Sequence, residues 1–224
     1  MQETRHSGKQ ALPEPTLRRL PWYLAYLKML DALHVEHVSS TQISKKLNVD
    51  ASQIAKDLSF LNIKGKTRVG YAVHSLVKEL TDFLGFKRRH NAFMIGTGSL
   101  GAALMRDVGL VQYGLHITAG FDVEPSLVGT KIGDIPVYDI NELSERQRAM
   151  GVTIAVLAVP VEQAQEVAEK AVSSGIKAIW NFTPYRIKVP SGIVVENTSI
   201  YAHLAVMYNR IDAGLYNHNT HQSR

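Results

Sequence analysis

Asn91-Ala-Phe-Met-Ile-Gly-Thr-Gly-Ser-Leu-Gly-Ala-Ala-Leu-Met105 decides the fold of this chain. Its opening is short and apolar, as a buried parallel strand is. Gly96, Thr97, Gly98, Ser99, Leu100 and Gly101 then spell G-x-G-x-x-G, and Ala102, Ala103, Leu104 and Met105 are good helix formers. Gly96 permits a tight turn off the strand, Gly98 lets a pyrophosphate approach the backbone, and Gly101 lets the helix lie close to the strand. The N–H groups at the helix start, on the positive end of its dipole, then face the anion. The six residues of the turn are candidate cofactor contacts.

Three glycines alone are a weak signal, so the stretch beyond them matters. Leu115-His-Ile-Thr-Ala-Gly-Phe121 reads as a second strand, ending at Asp122 and Val123. An acid about 20 residues past the glycines is placed to accept from an adenosine ribose hydroxyl. The same charge repels a 2′-phosphate, which favours NAD and NADH over NADP. The competing reading is that Asp122 only opens the turn Asp-Val-Glu-Pro125. Further on, Val152-Thr-Ile-Ala-Val-Leu157 is a buried strand that delivers Ala158, Val159 and Pro160. Pro160 suits the first position of a helix spanning 161–174, because its missing N–H has no intrahelical partner there. The main chain of Val159 and Pro160 is expected on the nicotinamide side of the site. A strand over 176–180 brings Asn181, Phe182 and Thr183 to the same edge. Asn181 is either a nicotinamide contact or a turn residue that satisfies its own backbone.

Bulk properties bound the rest. The 224 residues allow one large or two small domains. With 0 cysteines there is no disulfide, thiolate metal site or cysteine nucleophile, which suits a reducing cytoplasm. No apolar run approaches the roughly 20 residues of a membrane span, and Met1-Gln-Glu-Thr-Arg-His6 lacks a signal-peptide core, so a soluble cytoplasmic protein with no membrane partner is expected. His218 and His221 are too isolated to suggest a metal. Charge divides unevenly: residues 1–90 hold 15 Lys and Arg against 8 Asp and Glu, a balance of +7, and the remainder balances at −2. The first part therefore suits a polyanion, most simply nucleic acid.

Residues 1–14 read as a basic disordered tail. Leu20, Leu24, Leu27, Leu30 and Leu33 then recur at helical spacing. Ser39-Ser-Thr-Gln-Ile-Ser-Lys-Lys-Leu-Asn48 predicts a short second helix. After Asn48-Val-Asp50, a third helix over 51–61, capped by Asp50 or Ser52, turns Ile54, Leu58 and Leu61 inward and Ser52, Gln53, Lys56 and Ser59 outward. Gly65-Lys-Thr-Arg-Val-Gly-Tyr71 follows as a basic hairpin. Helical spacing resumes over 73–86. This is the layout of a winged helix-turn-helix, whose third helix enters a major groove while Lys64, Lys66 and Arg68 of the wing meet backbone or minor groove. A helical dimerisation domain with a solvated basic face is the alternative.

The chain also resembles the redox-sensing transcriptional repressor family Rex over nearly its whole length. The matching stretches are Arg18-Arg-Leu-Pro-Trp-Tyr-Leu24, Ser39-Ser, Asp57-Leu-Ser-Phe60, Gly70-Tyr-Ala-Val73, Gly96-Thr-Gly-Ser-Leu-Gly101, Phe121-Asp-Val123, Ala158-Val-Pro160 and Ile179-Trp-Asn-Phe-Thr-Pro184. The resemblance implies a homodimer that binds double-stranded operator DNA when NADH is low and releases it when NADH rises. It adds Arg18, Arg19, Ser39, Ser40 and Tyr71 to the DNA-binding residues. It also implies that the last helix, over 198–211, is swapped into the partner subunit with Ile200 near the partner's nicotinamide; the amphipathic stripe by itself suggests packing on its own domain. The expected architecture is α/β. A winged-helix domain (15–87) precedes a Rossmann doubly wound parallel sheet (88–197), the swapped helix and a disordered tail (212–224). The chain departs from the family pattern at Ala55, where an arginine is usual, at Ser199, where an aspartate joins a charge-linked switch, and at Asp107, where a tyrosine is common.

A dehydrogenase needs an acid or base beside the hydride path and room for a substrate. Between residues 91 and 211 the histidines are His116, at the wrong end of its strand, and His203. The roughly 120 residues of that half are filled by a bare nucleotide-binding unit. The cofactor is expected to act as a signal, and no catalytic residue is named. A small NAD-dependent oxidoreductase with a helical arm stays the alternative. A CoA-binding domain shares the fold, but Asp122 disfavours the 3′-phosphate of CoA.

Overall fold

The computed structural model of the chain describes residues 12–61, 63 and 65–219, with side chains to 214. The chain divides into a unit ending at Arg88 and one beginning at Arg89, one residue from the expected boundary.

In the first unit, α1 (Glu14–Ala32) buries Leu20, Tyr23, Leu24 and Leu27, each at 0% exposure, along one face. The strand β1 (His37–Val38) leads to α2 (Ser40–Leu47), which starts in a capping box. There the Gln42 N–H donates to Ser39 Oγ at 3.1 Å and the Ser39 N–H to Gln42 Oε1 at 2.8 Å. Asn48, at φ 53°, ends α2 in the left-handed conformation that asparagine tolerates. Asp50 then caps α3 (Ala51–Leu58) through the Ser52 N–H at 2.7 Å. The spacing predicts α3 out to Leu61; it stops at Leu58, yet Leu61 stays buried at the end of a following turn. The wing is a tight turn closed by a two-way backbone pair, Lys66 to Gly70 at 2.8 Å and Gly70 to Lys66 at 2.9 Å. It feeds β2 (Tyr71–Ala72), whose strand partner is β1. Gly70 sits at φ 95°, and a Cβ there would overlap the Val38 carbonyl. The unit closes with α4 (Val73–Phe83), three residues shorter than the spacing predicts.

One buried acid ties α3 to α1. Asp57 has no exposed surface, and its Oδ1 accepts from Thr16 Oγ1 (3.0 Å), Arg19 Nη2 (2.8 Å) and Gln53 Nε2 (2.8 Å). Its Oδ2 accepts from Arg19 Nε (2.6 Å) and the Tyr23 hydroxyl (2.8 Å). Burial raises the Asp57 pKa, but the donations from Arg19, Tyr23, Gln53 and Thr16 outweigh it and hold the group at about 2. The Tyr23 hydroxyl, buried beside that carboxylate, is pushed up.

The second unit opens with β3 (His90–Ile95), α5 (Ser99–Met105), α6 (Val108–Gln112) and β4 (Leu115–Asp122). A hairpin, β5 (Lys131–Ile132) and β6 (Ile135–Asp139), precedes α7 (Leu143–Met150) and β7 (Ile154–Leu157). Then come α8 (Ala164–Ser173), β8 (Ala178–Asn181), β9 (Val194–Asn197) and α9 (Ile200–Asn219). The sheet order is β5-β6-β4-β3-β7-β8-β9, parallel except for β5 against β6. From β3 the chain winds outward through β4 to β6, then returns to the other side through β7, β8 and β9. The carboxyl ends of β3 and β7 thus flank the point where winding reverses, where such sheets bind ligands. Side chains alternate between two cores. Phe93, Ile95 and Phe121 pack with α7 and α8, while Ala92, Met94 and Val156 pack with α5. The Phe93 and Phe121 rings meet edge to face at 4.9 Å. The last helix runs from Ile200 to Asn219, past the 198–211 span expected and into the stretch read as a tail.

Because the Asp57 pKa lies below the usual carboxylate value of about 4, its stabilisation is complete above that value and is lost as pH falls toward 2. Asp57→Asn should therefore destabilise the first unit by about 2–4 kcal/mol at pH 7. It should also remove on the order of 2 kcal/mol from the stability that the native protein loses between pH 5 and pH 2. Urea titrations followed by circular dichroism across that range measure both.

Candidate functional site

Residues 96–101 close the carboxyl end of β3. Gly96 has φ 89°, and a Cβ on it would lie 2.5 Å from the Ala158 carbonyl oxygen. A Cβ on Gly101 would overlap the Gly96 carbonyl, so α5 packs on the turn with no space for a methyl group. Gly98 differs: a Cβ there would meet nothing within 4 Å. The turn is therefore closed by protein at its first and last glycines and open at the middle one. Gly98 is the N-cap of α5 and offers no side-chain cap, so the first N–H groups of the helix suit an anion. Ser99 and Leu100 are exposed on this first turn, and Thr97 is buried beneath it.

Asp122 does what the competing reading proposed and also stands at the expected place. Its Oδ2 accepts from the Thr97 N–H at 2.6 Å and the Thr97 hydroxyl at 2.8 Å. Its Oδ1 accepts from the N–H groups of Val123 (2.8 Å) and Glu124 (3.1 Å). Burial raises its pKa, but the Thr97 and Glu124 N–H groups outweigh it and hold the carboxylate below its ordinary range. The acid thus clasps the glycine turn to the end of β4. It also borders a cavity of about 490 Å³ together with Gly96, Gly98, Val123, Ala158, Val159 and Pro160. Ile95, Leu127, Ile140 and Val167 make the cavity apolar, Glu124 adds a second carboxylate, and among the described residues no lysine or arginine lines it. Leu127 and Ile140 were not singled out from the sequence, where an apolar residue reads equally well as core, and Gln163 carries no motif there.

Val159 and Pro160 line the same cavity as Asp122; Pro160 is an N-cap and not the first helical residue. Asn181 is fully buried and satisfied. Its Nδ2 donates to the Tyr185 carbonyl (2.8 Å) and Asn197 Oδ1 (2.9 Å), and its Oδ1 accepts from the N–H (3.0 Å) and hydroxyl (2.8 Å) of Thr183. The side chains of Asn181 and the buried Thr183 thus hold a loop together, as the turn reading of Asn181 has it. Phe182, half-buried, packs on Trp180 with centroids 4.6 Å apart. The Arg19 guanidinium is bound in bidentate fashion to Asp57, 38 residues away, and so ties α1 to α3.

Ser39, Ser40, Lys66, Arg68 and Tyr71 border one concavity of about 350 Å³, which Thr67 and Val69 complete. Arg68 stands at φ 65° at the wing tip. On α3, Ser52 and Lys56 are exposed and Gln53 is half-buried, while the Ser59 hydroxyl donates to the Lys56 carbonyl at 2.7 Å. Arg18 is exposed and pairs with Glu14 at 2.8 Å. Lys64 lies outside the described residues. Along α9, Ile200, Met207, Tyr208 and Ile211 are between 46% and 56% exposed, an apolar stripe that its own unit leaves uncovered.

Comparison with known proteins decides what these two sites belong to. A family model described as CoA binding domain matches residues 87–185, and one described as Putative DNA-binding protein N-terminus matches residues 11–59. The redox-sensing transcriptional repressor Rex of Bacteroides fragilis is 56% identical over 210 residues, covering 94% of this chain and 96% of that protein. The chain belongs to the Rex family of redox-sensing transcriptional repressors. Rex of Treponema denticola is 40% identical over 206 residues, covering 90% of this chain and 98% of its own. The crystal structure of the repressor RSP in complex with β-NAD⁺ and operator DNA matches with a TM-score of 0.86 at 33% identity, covering 96% of this chain and 100% of that one. RSP in complex with β-NADH matches at 0.84 and 34%, covering 94% and 99%. Family membership decides for a regulator over the oxidoreductase that the sequence left open.

Gly98→Ala should leave the stability of the ligand-free protein within about 0.5 kcal/mol of native, whereas Gly101→Ala should cost 2 kcal/mol or more as α5 is forced off the turn. Urea unfolding of the two variants without nucleotide separates them.

Proposed function

We propose that this chain is an NADH-responsive transcriptional repressor that binds operator DNA as a homodimer in the cytoplasm and releases it when NADH binds the second unit. The carrying observation is the glycine turn, closed at Gly96 and Gly101 and open at Gly98 beside a cation-free apolar cavity. The complexes of RSP with β-NAD⁺ and operator DNA and with β-NADH support the pairing of these two ligands.

In this reading the N–H groups of α5 hold the pyrophosphate, and the cavity beside Val123, Val159 and Pro160 takes the adenosine. Asp122, ionised and already holding the turn in shape, orders the loop that a ribose hydroxyl would share. With Glu124 it disfavours a phosphate on that ribose, which argues for NAD(H) against NADP and against CoA, although the CoA-binding model matches the fold. The nicotinamide then lies beyond the turn, toward Phe182 and Ile200 of the partner subunit, and its redox state supplies the signal. The uncovered stripe of α9 supports a helix that packs on a second copy, because an exposed amphipathic helix of this length gains little by itself. Lys56 on α3, with Lys66 and Arg68 in the wing, supplies phosphate contacts, and Ser39, Ser40 and Tyr71 position the wing. NADH acts only through its differential affinity for the DNA-competent and DNA-released states of the dimer.

A gel-shift titration tests this. NADH should dissociate the native protein from operator DNA, and NAD⁺ should not. Gly98→Val should bind the same DNA with affinity within about threefold of native while needing at least tenfold more NADH for release. A native complex indifferent to NADH would refute the redox role.

A further inference from the structure

Gln53 is half-buried on α3, and its amide is held by a buried partner. Its Nε2 donates to Asp57 Oδ1 at 2.8 Å, and Asp57 is itself immobilised by Thr16, Arg19 and Tyr23 from α1. A carboxylate with five donors around it can only accept, so the nitrogen of Gln53 must face it and Oε1 must turn the other way. Among the described residues Oε1 has no hydrogen-bond partner, and the second N–H of Nε2 is left over. Gln53 lies in the first turn of α3, the part of a helix-turn-helix recognition helix that reaches base edges. A carbonyl beside an N–H, both without a protein partner among the described residues, matches the N6 donor and N7 acceptor of adenine in the major groove. It opposes guanine, which presents two acceptors.

We propose that Gln53 reads one adenine in each half of the DNA site, with Asp57 as the positioning residue that fixes its amide with oxygen outward. This rests on the DNA-binding reading above and names the base that reading leaves open. Lys56 and the wing lysine and arginine then supply affinity without this preference, since phosphate contacts carry no base identity.

The full-length protein is used to select duplexes from a pool with a random core, in parallel with Gln53→Ala and Lys56→Ala. The native protein should enrich a two-fold symmetric motif with a fixed adenine in each half. Gln53→Ala should lose the preference at that position alone, and its affinity for the native motif should fall roughly 5- to 150-fold. Replacing that adenine pair by a guanine pair should weaken the native protein to a similar extent and leave Gln53→Ala unaffected. The positioning claim is read on the native protein without DNA. In an NMR spectrum the side-chain amide pair absent from Gln53→Ala should show one proton protected from solvent exchange, unlike other exposed glutamines. A native protein that enriches no motif would sink the DNA-binding reading itself. An unchanged motif, or a uniform loss across all sequences, from Gln53→Ala would overturn the base assignment. Fast exchange of both Gln53 amide protons would overturn the role of Asp57.

Discussion

The second unit depends on the absence of one carbon atom. Gly101 lies so near the Gly96 carbonyl that any Cβ would overlap it. That closeness lets α5 start directly off β3, with its N–H groups and the positive end of its dipole at the reversal point of the sheet. Everything that makes the cavity a site follows from this placement. Asp122 reaches Thr97 only because the turn is held down, and Val159 and Pro160 border the same space only because Gly96 passes close to Ala158. The middle glycine is free of such duties, and the surface there is left as bare backbone.

The first unit rests on a different device, a buried carboxylate. Asp57 gathers five donations from α1 and from α3 itself, so the third helix is fixed against the first by charge-assisted bonds as well as by leucine packing. Leaving any one donor unpaired in that place is expensive, whereas the complete set is self-consistent. A surface that must present side chains in register to a rigid polyanion benefits from such a foundation. Backbone geometry does the same for the wing, where Gly70 takes a conformation and a closeness to Val38 that a side chain would forbid.

What was legible in the sequence was local. The glycine spacing, the capping residues Ser39 and Asp50, and the short apolar run of β3 all express interactions between near neighbours, and the structure shows each of them. What was not legible depended on contacts far apart along the chain. Arg19 looks like any basic residue beside Arg18 until Asp57 is brought to it from 38 positions away. Asn181 sits at a strand end where a ligand contact is plausible, and only the loop returning to Tyr185 and Asn197 shows that all its hydrogen-bonding capacity is used. The reach of α9 to Asn219 was missed because the apolar stripe ends at Ile211, whereas helix propensity continues through Ala213.

The departures from the family pattern take on meaning when each is given its local job. Asp107, where a tyrosine is common, caps α6 by accepting the Gly109 N–H at 2.6 Å. Ser199, where an aspartate is usual, accepts the Ala202 N–H at 3.2 Å at the start of α9. Ala55 puts a small side chain on α3 between Ile54 and Lys56, where an arginine would add a charge. A serine keeps the capping function of an aspartate but not its charge.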